Sequence, residues 1–326
     1  MNTFGNALRL SIWGESHGTA VGITLDGVPA GIALSEADFE ADLQRRRGGA
    51  KGTTPRRESD LPHLISGVYE SHTTGAPLTI LFENGNTRSQ DYSELTHHYR
   101  PSHADRVAQA KFRGMNDPRG GGHFSARLTV ALVAAGVVAK KILPETVSFA
   151  TRLTAVGGET NPARFDSVIA AAQADGDSVG GVIECRVESL PTGWGEPLVD
   201  SVESLMAHLL FSIPAVKGVE FGDGFAVASR CGSENNDCIL NAEGTTATNH
   251  AGGIDGGITN SNPLIVRVAM KPTPSIAREQ LTYDRACDAV APLQIKGRHD
   301  ACVALRGAVV VEAATALALA DLFLRA

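Results

Sequence analysis

Apolar and polar positions alternate over several short stretches of the chain and give way to continuous apolar runs in two long ones. The alternating stretches are "VGITLDG" (21–27), "PLTILFEN" (77–84), "GGVIECRVESL" (180–190), "VKGVEFGDGFAVA" (216–228) and "PLIVRVAM" (263–270). A period of two marks strands with one face on a core, as in antiparallel sheets. "SARLTVALVAAGVVAKKIL" (125–143) and "GAVVVEAATALALADLFLRA" (307–326) are apolar on nearly every side of a helical wheel, so each predicts a buried helix. A shorter helix is predicted over 36–47, with Ser35 at its N-cap, Asp38 three residues on and Gly48-Gly49 at its close. The fold class is therefore α+β. Both long helices follow a basic, glycine-containing stretch, "RGGGHF" and "KGRHDACVALRG", which points to an internal duplication. No proline-rich or charged linker divides the chain, so 1–326 reads as a single domain of two pseudo-symmetric halves.

Composition narrows the function. The chain has 326 residues, 35 of them glycine, with only 5% aromatics, which implies many tight turns and close backbone approaches. Five cysteines, an odd number with no C-x-x-C pair, argue against a disulfide framework and for a reducing cytoplasm. Neither a signal peptide nor an apolar run of membrane-spanning length is visible, so a soluble protein is expected. The net charge of −7 disfavours nucleic acid as a partner. The cations nevertheless gather beside glycine, histidine and proline in "QRRRGGAKGTTPRRES" (44–59), "YRPSHADR" (99–106), "DPRGGGHFSAR" (117–127) and "KGRHD" (296–300). Such clusters suit a small anion, and the glycine-rich turn before the helix at 125 adds free backbone N–H groups and a positive dipole end. Of Arg45, Arg46 and Arg47 only one or two can serve one ligand, because successive helical residues point about 100° apart. No zinc-like spacing of Cys and His appears, so no metal is expected.

"WGESHG" (13–18) matches Gly-x-Ser-x-Gly, the nucleophile elbow of serine hydrolases, with Ser16 as nucleophile. That reading needs a helix directly after the serine, whereas "TAVGITLDGVPAG" is glycine-rich and β-branched, hence strand and turn. A non-catalytic anion-binding module is a further alternative. His17, His103 and His299 each lie near arginine or in a glycine-bounded loop, where a protonated imidazole can serve as general acid.

In order along the chain, "WGESHG", "LDGVPAG", "DLQRRRGG", "TTPRRE", "SGVYE", "TTGAPL", "RSQDY", "RPSHAD", "RGGGHFSARLT", "SIPAVKGVEFGDGF", "NHAGGIDGGI", "KPTPSI" and "KGRHDAC" resemble the chorismate synthase family. The resemblance runs from the first twenty residues to the final helix. It implies a β-α-β sandwich of antiparallel sheets enclosing central helices, assembled as a homotetramer. It also implies conversion of 5-enolpyruvylshikimate 3-phosphate to chorismate and phosphate by an anti 1,4-elimination that needs reduced FMN. By that resemblance His17 protonates the departing phosphate, His103 lies near the flavin as a cation, and Asp300 assists removal of the C6 proton. Ser16, Arg46, Lys51, Arg57, Arg100, Arg127 and Arg298 match substrate contacts. His123, Phe124, Ser125, Pro214, Ala215, Gly256, Lys271, Pro272, Thr273, Pro274, Ser275 and Arg298 match flavin contacts. The chain departs from the family pattern at His123, where most members carry arginine, at Leu128 for glutamate, at Pro214 for asparagine and at Ala301 for proline. The first of these makes one cation near the flavin titratable. With no G-x-G-x-x-G turn for NADPH, an external flavin reductase is the expected partner.

Overall fold

The structure is a computed structural model and describes residues 2–55, 58–85, 97–295 and 299–326. In the first half run β1 (Thr3–Phe4), β2 (Arg9–Gly14), β3 (Ala20–Asp26), α1 (Glu40–Arg46), β4 (His63–Ser66), β5 (Val68–Tyr69), β6 (His72–Thr73), β7 (Leu78–Glu83), α2 (Asp105–Lys111) and α3 (Thr129–Ile142). In the second run β8 (Ser148–Val156), α4 (Phe165–Ala174), β9 (Gly181–Glu188), α5 (Val202–Leu210), β10 (Val216–Phe221), α6 (Gly232–Asn235), β11 (Ile254–Asp255), β12 (Ile258–Thr259), β13 (Leu264–Met270), β14 (Gln280–Asp284), β15 (Ala289–Leu293) and α7 (Ala304–Phe323).

The fold is mixed, with antiparallel sheets. One sheet has the order β1-β2-β3-β7-β4 and another the order β10-β13-β9-β8. The alternation that predicted the strands is the alternation that is buried: Leu78, Ile80 and Phe82 of β7 and Leu264, Val266 and Val268 of β13 are all fully buried. Helix α3 packs on β3 and β7, α7 packs on β8, β9 and β13, and the two helices pack on each other. Apolar side chains all round α3 and α7 thus find partners on every side. Their axes come close because Gly136 faces Ala313; a Cβ on Gly136 would stand 2.4 Å from that of Ala313. Charge enters this core between the helices. Glu312 of α7 is bound by Arg45 of α1 at 2.6 Å and by Lys140 of α3 at 2.5 Å, which ties three helices together.

Several boundaries differ from expectation. The helix predicted over 36–47 opens as a 3₁₀ turn, Glu36–Phe39, held by the Ser35–Asp38 capping box, before α1 begins. The strand predicted over 216–228 stops at Phe221, because Gly222 and Gly224 adopt φ of +55° and the chain turns into a 3₁₀ segment. Strands β1, β2, β4, β5, β6, β8, β11, β12, β14 and β15 and helices α2, α4, α5 and α6 were not predicted. Ser16 lies between two paired antiparallel strands, β2 and β3, so no helix follows it and the elbow geometry is absent.

Candidate functional site

Loops from distant parts of the sequence line a half-open chamber of about 790 Å³. Its wall is built by β1 and β2 (Thr3, Phe4, Leu10, Ile12), the end of α1 and its following loop (Arg46, Thr54, Glu58, Asp60), and the 100–104 loop. Residues 123–129, the segment from His208 to Val216, the turn after β13 (Lys271, Thr273–Ser275), the approach to α7 (His299, Asp300) and its first turn (Arg306) complete it. Among the described residues its wall carries the permanent cations Arg46, Arg100, Arg127, Lys271 and Arg306 against the carboxylates Glu58, Asp60 and Asp300. Five cations against three acids favour an anionic occupant.

Most of these charges are held by the protein itself. Asp60, 2% exposed, receives Arg46 at 3.1 Å and is also bound by Arg127. Burial alone would raise the Asp60 carboxyl, but the two guanidinium charges overcome it and hold it below the usual carboxylate range. Arg46 further donates to Thr129 Oγ1 at 3.0 Å and to the carbonyls of Ala126 and Arg127 at 3.0 and 3.1 Å. Burial, with Arg306 and Arg127 nearby, pushes Arg46 down to about 9, so it is still charged at neutral pH. Its neighbours on α1 point elsewhere, Arg45 to Glu312 and Arg47 to Glu40, as the helical spacing requires.

His103 and Arg100 share Asp105. Arg100 grips that carboxylate through Nε at 2.8 Å and a terminal nitrogen at 2.6 Å, and reaches Ser275 Oγ at 3.2 Å. His103 Nδ1 lies 2.6 Å from Asp105 Oδ1. A carboxylate only accepts, so Nδ1 carries the hydrogen and Nε2 is the open position. Burial pulls the His103 pKa below its ordinary value; Asp105 opposes this, while Arg100 and Lys271 reinforce it. Burial and the neighbouring cations thus work against the cationic imidazole expected from the sequence. Asp300, at the opposite end of the chain, accepts from the Thr54 N–H at 2.8 Å and from Arg306 at 3.1 Å.

Three successive glycines, Gly120, Gly121 and Gly122, have φ of +58°, +84° and +53°, the left-handed region that disfavours any side chain. Gly120 faces the chamber, and a Cβ on it would stand 2.3 Å from the His17 ring and 2.8 Å from Ser16 Oγ. One on Gly121 would stand 3.2 Å from the His103 ring. The strip thus packs the two histidine loops side by side. Ser16 and His17, both buried, sit directly behind it and not in the wall. Asn84 fixes their loop by donating to the carbonyls of Glu15 and Gly18, both at 2.9 Å, and accepts from Arg127 Nε at 3.0 Å.

Of the residues singled out in the sequence, Arg46, Arg100, His103, His123, Phe124, Ser125, Arg127, Pro214, Ala215, Lys271, Thr273, Pro274, Ser275 and Asp300 meet in this wall. Pro272 stands just outside it, against Gly180. Lys51 is turned away and pairs with Asp166 at 3.1 Å, both side chains largely exposed. Gly256 lies in the exposed turn between β11 and β12, outside the chamber wall. Arg57 and Arg298 lie outside the described residues. Sequence reasoning missed Asp60, Asn84, His208 and Arg306. Arg306 lay within the basic stretch before the last helix, while Asp60 and Asn84 carry no local signal. Among the described residues no group of three or more His, Cys, Asp or Glu could hold a metal ion, and no helix is long and apolar enough to cross a membrane.

A family model described as chorismate synthase matches residues 8–324. A chorismate synthase of Chitinophaga pinensis is 58% identical over 324 residues, covering 99% of this chain and 97% of the relative. One of Archaeoglobus fulgidus is 42% identical over 351 residues, with coverage of 99% and 97%. A solved structure described as a crystal structure of chorismate synthase superposes with a TM-score of 0.74 at 28% identity, covering 98% of this chain and 93% of its own.

Proposed function

Because the chain belongs to the chorismate synthase family, we propose that the chamber binds 5-enolpyruvylshikimate 3-phosphate against reduced FMN and expels phosphate by anti 1,4-elimination. The protein is a carbon–oxygen lyase of the final shikimate step. The observation that carries the assignment of the chamber is its wall: surplus cations around a half-open cavity that His103 and Asp300 both line.

The wall suits a flavin as well as a phosphorylated ring. Leu10, Ile12, Phe124, Leu132 and Ile213 offer apolar surface to a flat heterocycle, and the buried Thr273 hydroxyl at the wall has no hydrogen-bond partner. His123, Phe124, Ser125, Pro214, Ala215, Lys271 and Thr273–Ser275 are the residues that would hold it. When bound, reduced FMN supplies an electron-rich ring and a basic nitrogen beside the substrate.

The protein's own groups do the rest. Arg46, Arg100 and Arg127, pre-set by Asp60 and Asp105, supply positive charge without reorganising as the leaving phosphate gains charge. Asp300, aligned by Thr54 and Arg306, draws off a proton as the C6–H bond breaks. An anionic occupant favours the charged form of His103, which in turn stabilises it. His17 donates to the departing phosphate, and Gly120, which lies between them, moves aside when the phosphate enters. Ser16 shares that loop as a substrate contact. Lys51 and Gly256 have no part in this scheme.

At the level of architecture, the two sheets with α3 and α7 between them are read as one β-α-β sandwich built from duplicated halves. The active form is read as a cytoplasmic homotetramer served by an external flavin reductase. The test is anaerobic. Phosphate should be released only with reduced FMN present, and FMN with NADPH alone should give none. Release without flavin would defeat the proposal.

A further inference from the structure

His123 lines the chamber in the segment that joins the glycine strip to α3, and its Nδ1 lies 2.8 Å from the carbonyl oxygen of Gly14. That carbonyl is fixed. Gly14 ends β2 with φ +92°, and a Cβ there would stand 2.3 Å from the Ala20 carbonyl oxygen, so this turn, paired between β2 and β3, requires glycine. A carbonyl only accepts, so the hydrogen of a neutral His123 ring must sit on Nδ1. Nε2 is then the nitrogen left to the chamber. It carries a lone pair when the ring is neutral and an N–H when the ring is charged. Toward an anion these two states have opposite effects, repulsion in one and a charge-assisted hydrogen bond in the other.

We propose that His123, with its tautomer locked by Gly14, is a proton-gated contact to a phosphate-bearing ligand of the chamber, so that tight binding of that ligand requires uptake of a proton. An arginine at this place would donate at every pH, whereas an imidazole held in this tautomer donates from Nε2 only when it is charged. Other ionisable groups surround it, and His103, which an anion also favours in its charged form, is unchanged in the variants that test the inference. From the loop after β2 come Glu15 and His17, the latter behind Gly120. From its own segment come Arg119, paired with Asp117, and Arg127, paired with Asp60. From the other walls come Arg100 and His103, both held on Asp105, and Lys271, which donates to the Ser102 carbonyl.

The inference rests on the flavin and substrate reading above, and its test separates the two. Oxidised FMN, riboflavin and 5-enolpyruvylshikimate 3-phosphate are titrated into the full chain at pH 6 and pH 8 and followed by fluorescence or calorimetry. Wild type is compared with His123→Arg and His123→Gln. A ligand's own titration is common to all three proteins, so the comparison isolates His123. Between pH 6 and 8 the wild type should lose affinity relative to His123→Arg by about tenfold, the scale of a charge-assisted hydrogen bond. His123→Gln should show no such loss and bind weakly at both values. Loss with FMN but not riboflavin places the contact on the flavin phosphate, and loss with the shikimate phosphate places it on the substrate. Parallel pH profiles for all three proteins with both phosphate ligands would overturn the inference. Failure of every protein to bind FMN at either pH would instead refute the flavin reading.

Discussion

Asp60 is a small residue in a demanding position, buried between two arginines whose other donors are already engaged. Replacing it by asparagine leaves two buried guanidinium groups facing no charge, and a cost of about 3–5 kcal/mol in unfolding free energy is expected; denaturant midpoints measure it. Because its folded pKa is depressed, its stabilising contribution is full above the ordinary carboxylate range and is lost as pH falls through the folded value. His103 has linkage of the same sign in a higher pH window. Its folded pKa is also depressed, so the unfolded chain takes up a proton the fold refuses, and acidification below about pH 6.5 costs stability. Ring-proton NMR should show His103 titrating below the ordinary histidine value in the free protein and rising when an anionic ligand binds. His17→Ala and His103→Ala should lower kcat by about 100-fold with little change in KM, since both act on charge that develops in the transition state. A raised KM at unchanged kcat would contradict those roles. Spacing alone separated Arg46 from Arg45 and Arg47, because helix geometry is local. It could not orient Lys51, whose direction is set by contact with Asp166 far along the chain.

Helices α3 and α7 show where element-level reasoning works and where it stops. Their all-round apolar composition made both legible, and strands β3, β7, β9 and β13 were legible from alternation within a residue or two. Strand β8 was not, since its outward positions and its irregular register around Leu153–Ala155 blur the period. The approach of the helices depends on Gly136 opposite Ala313. In an exposed helix Gly→Ala gains about 1 kcal/mol, but here the added methyl meets backbone and Cβ. Gly136→Ala should therefore destabilise by about 1–3 kcal/mol, read from thermal or denaturant unfolding. The same helices are pinned by Glu312. Burial alone would raise this carboxyl, yet Arg45 and Lys140 hold it down to about 2. Its contribution is present above its ordinary value of 4.5 and fades as pH falls toward 2. Glu312→Gln should cost about 1.5–3 kcal/mol at pH 7 and progressively less as the pH is lowered.

At the scale of the whole molecule, the site exists only because residues near 17, 46, 103, 123, 214, 273 and 300 are folded together. Four of these loops, at 44–59, 99–106, 117–127 and 296–300, were visible in the sequence as clusters of cations beside glycine, histidine or proline, and together they implied an anion. Their convergence was not visible, since it is set by two sheets and two helices that bring opposite ends of the chain to one wall. Asp321 shows the effect directly: this buried carboxylate near the C-terminus accepts from the N–H groups of Asn6, Ala7 and Leu8 at 2.9, 2.7 and 2.8 Å. The most direct test of the account is a crystal structure of the protein with FMN and 5-enolpyruvylshikimate 3-phosphate. The account predicts both in the one chamber, the flavin against His103 and the turn at 271–275, the substrate phosphate within hydrogen-bonding reach of arginine and His17 with Gly120 displaced. Ligands bound anywhere else, or a chamber still separated from His17 with both in place, would contradict it.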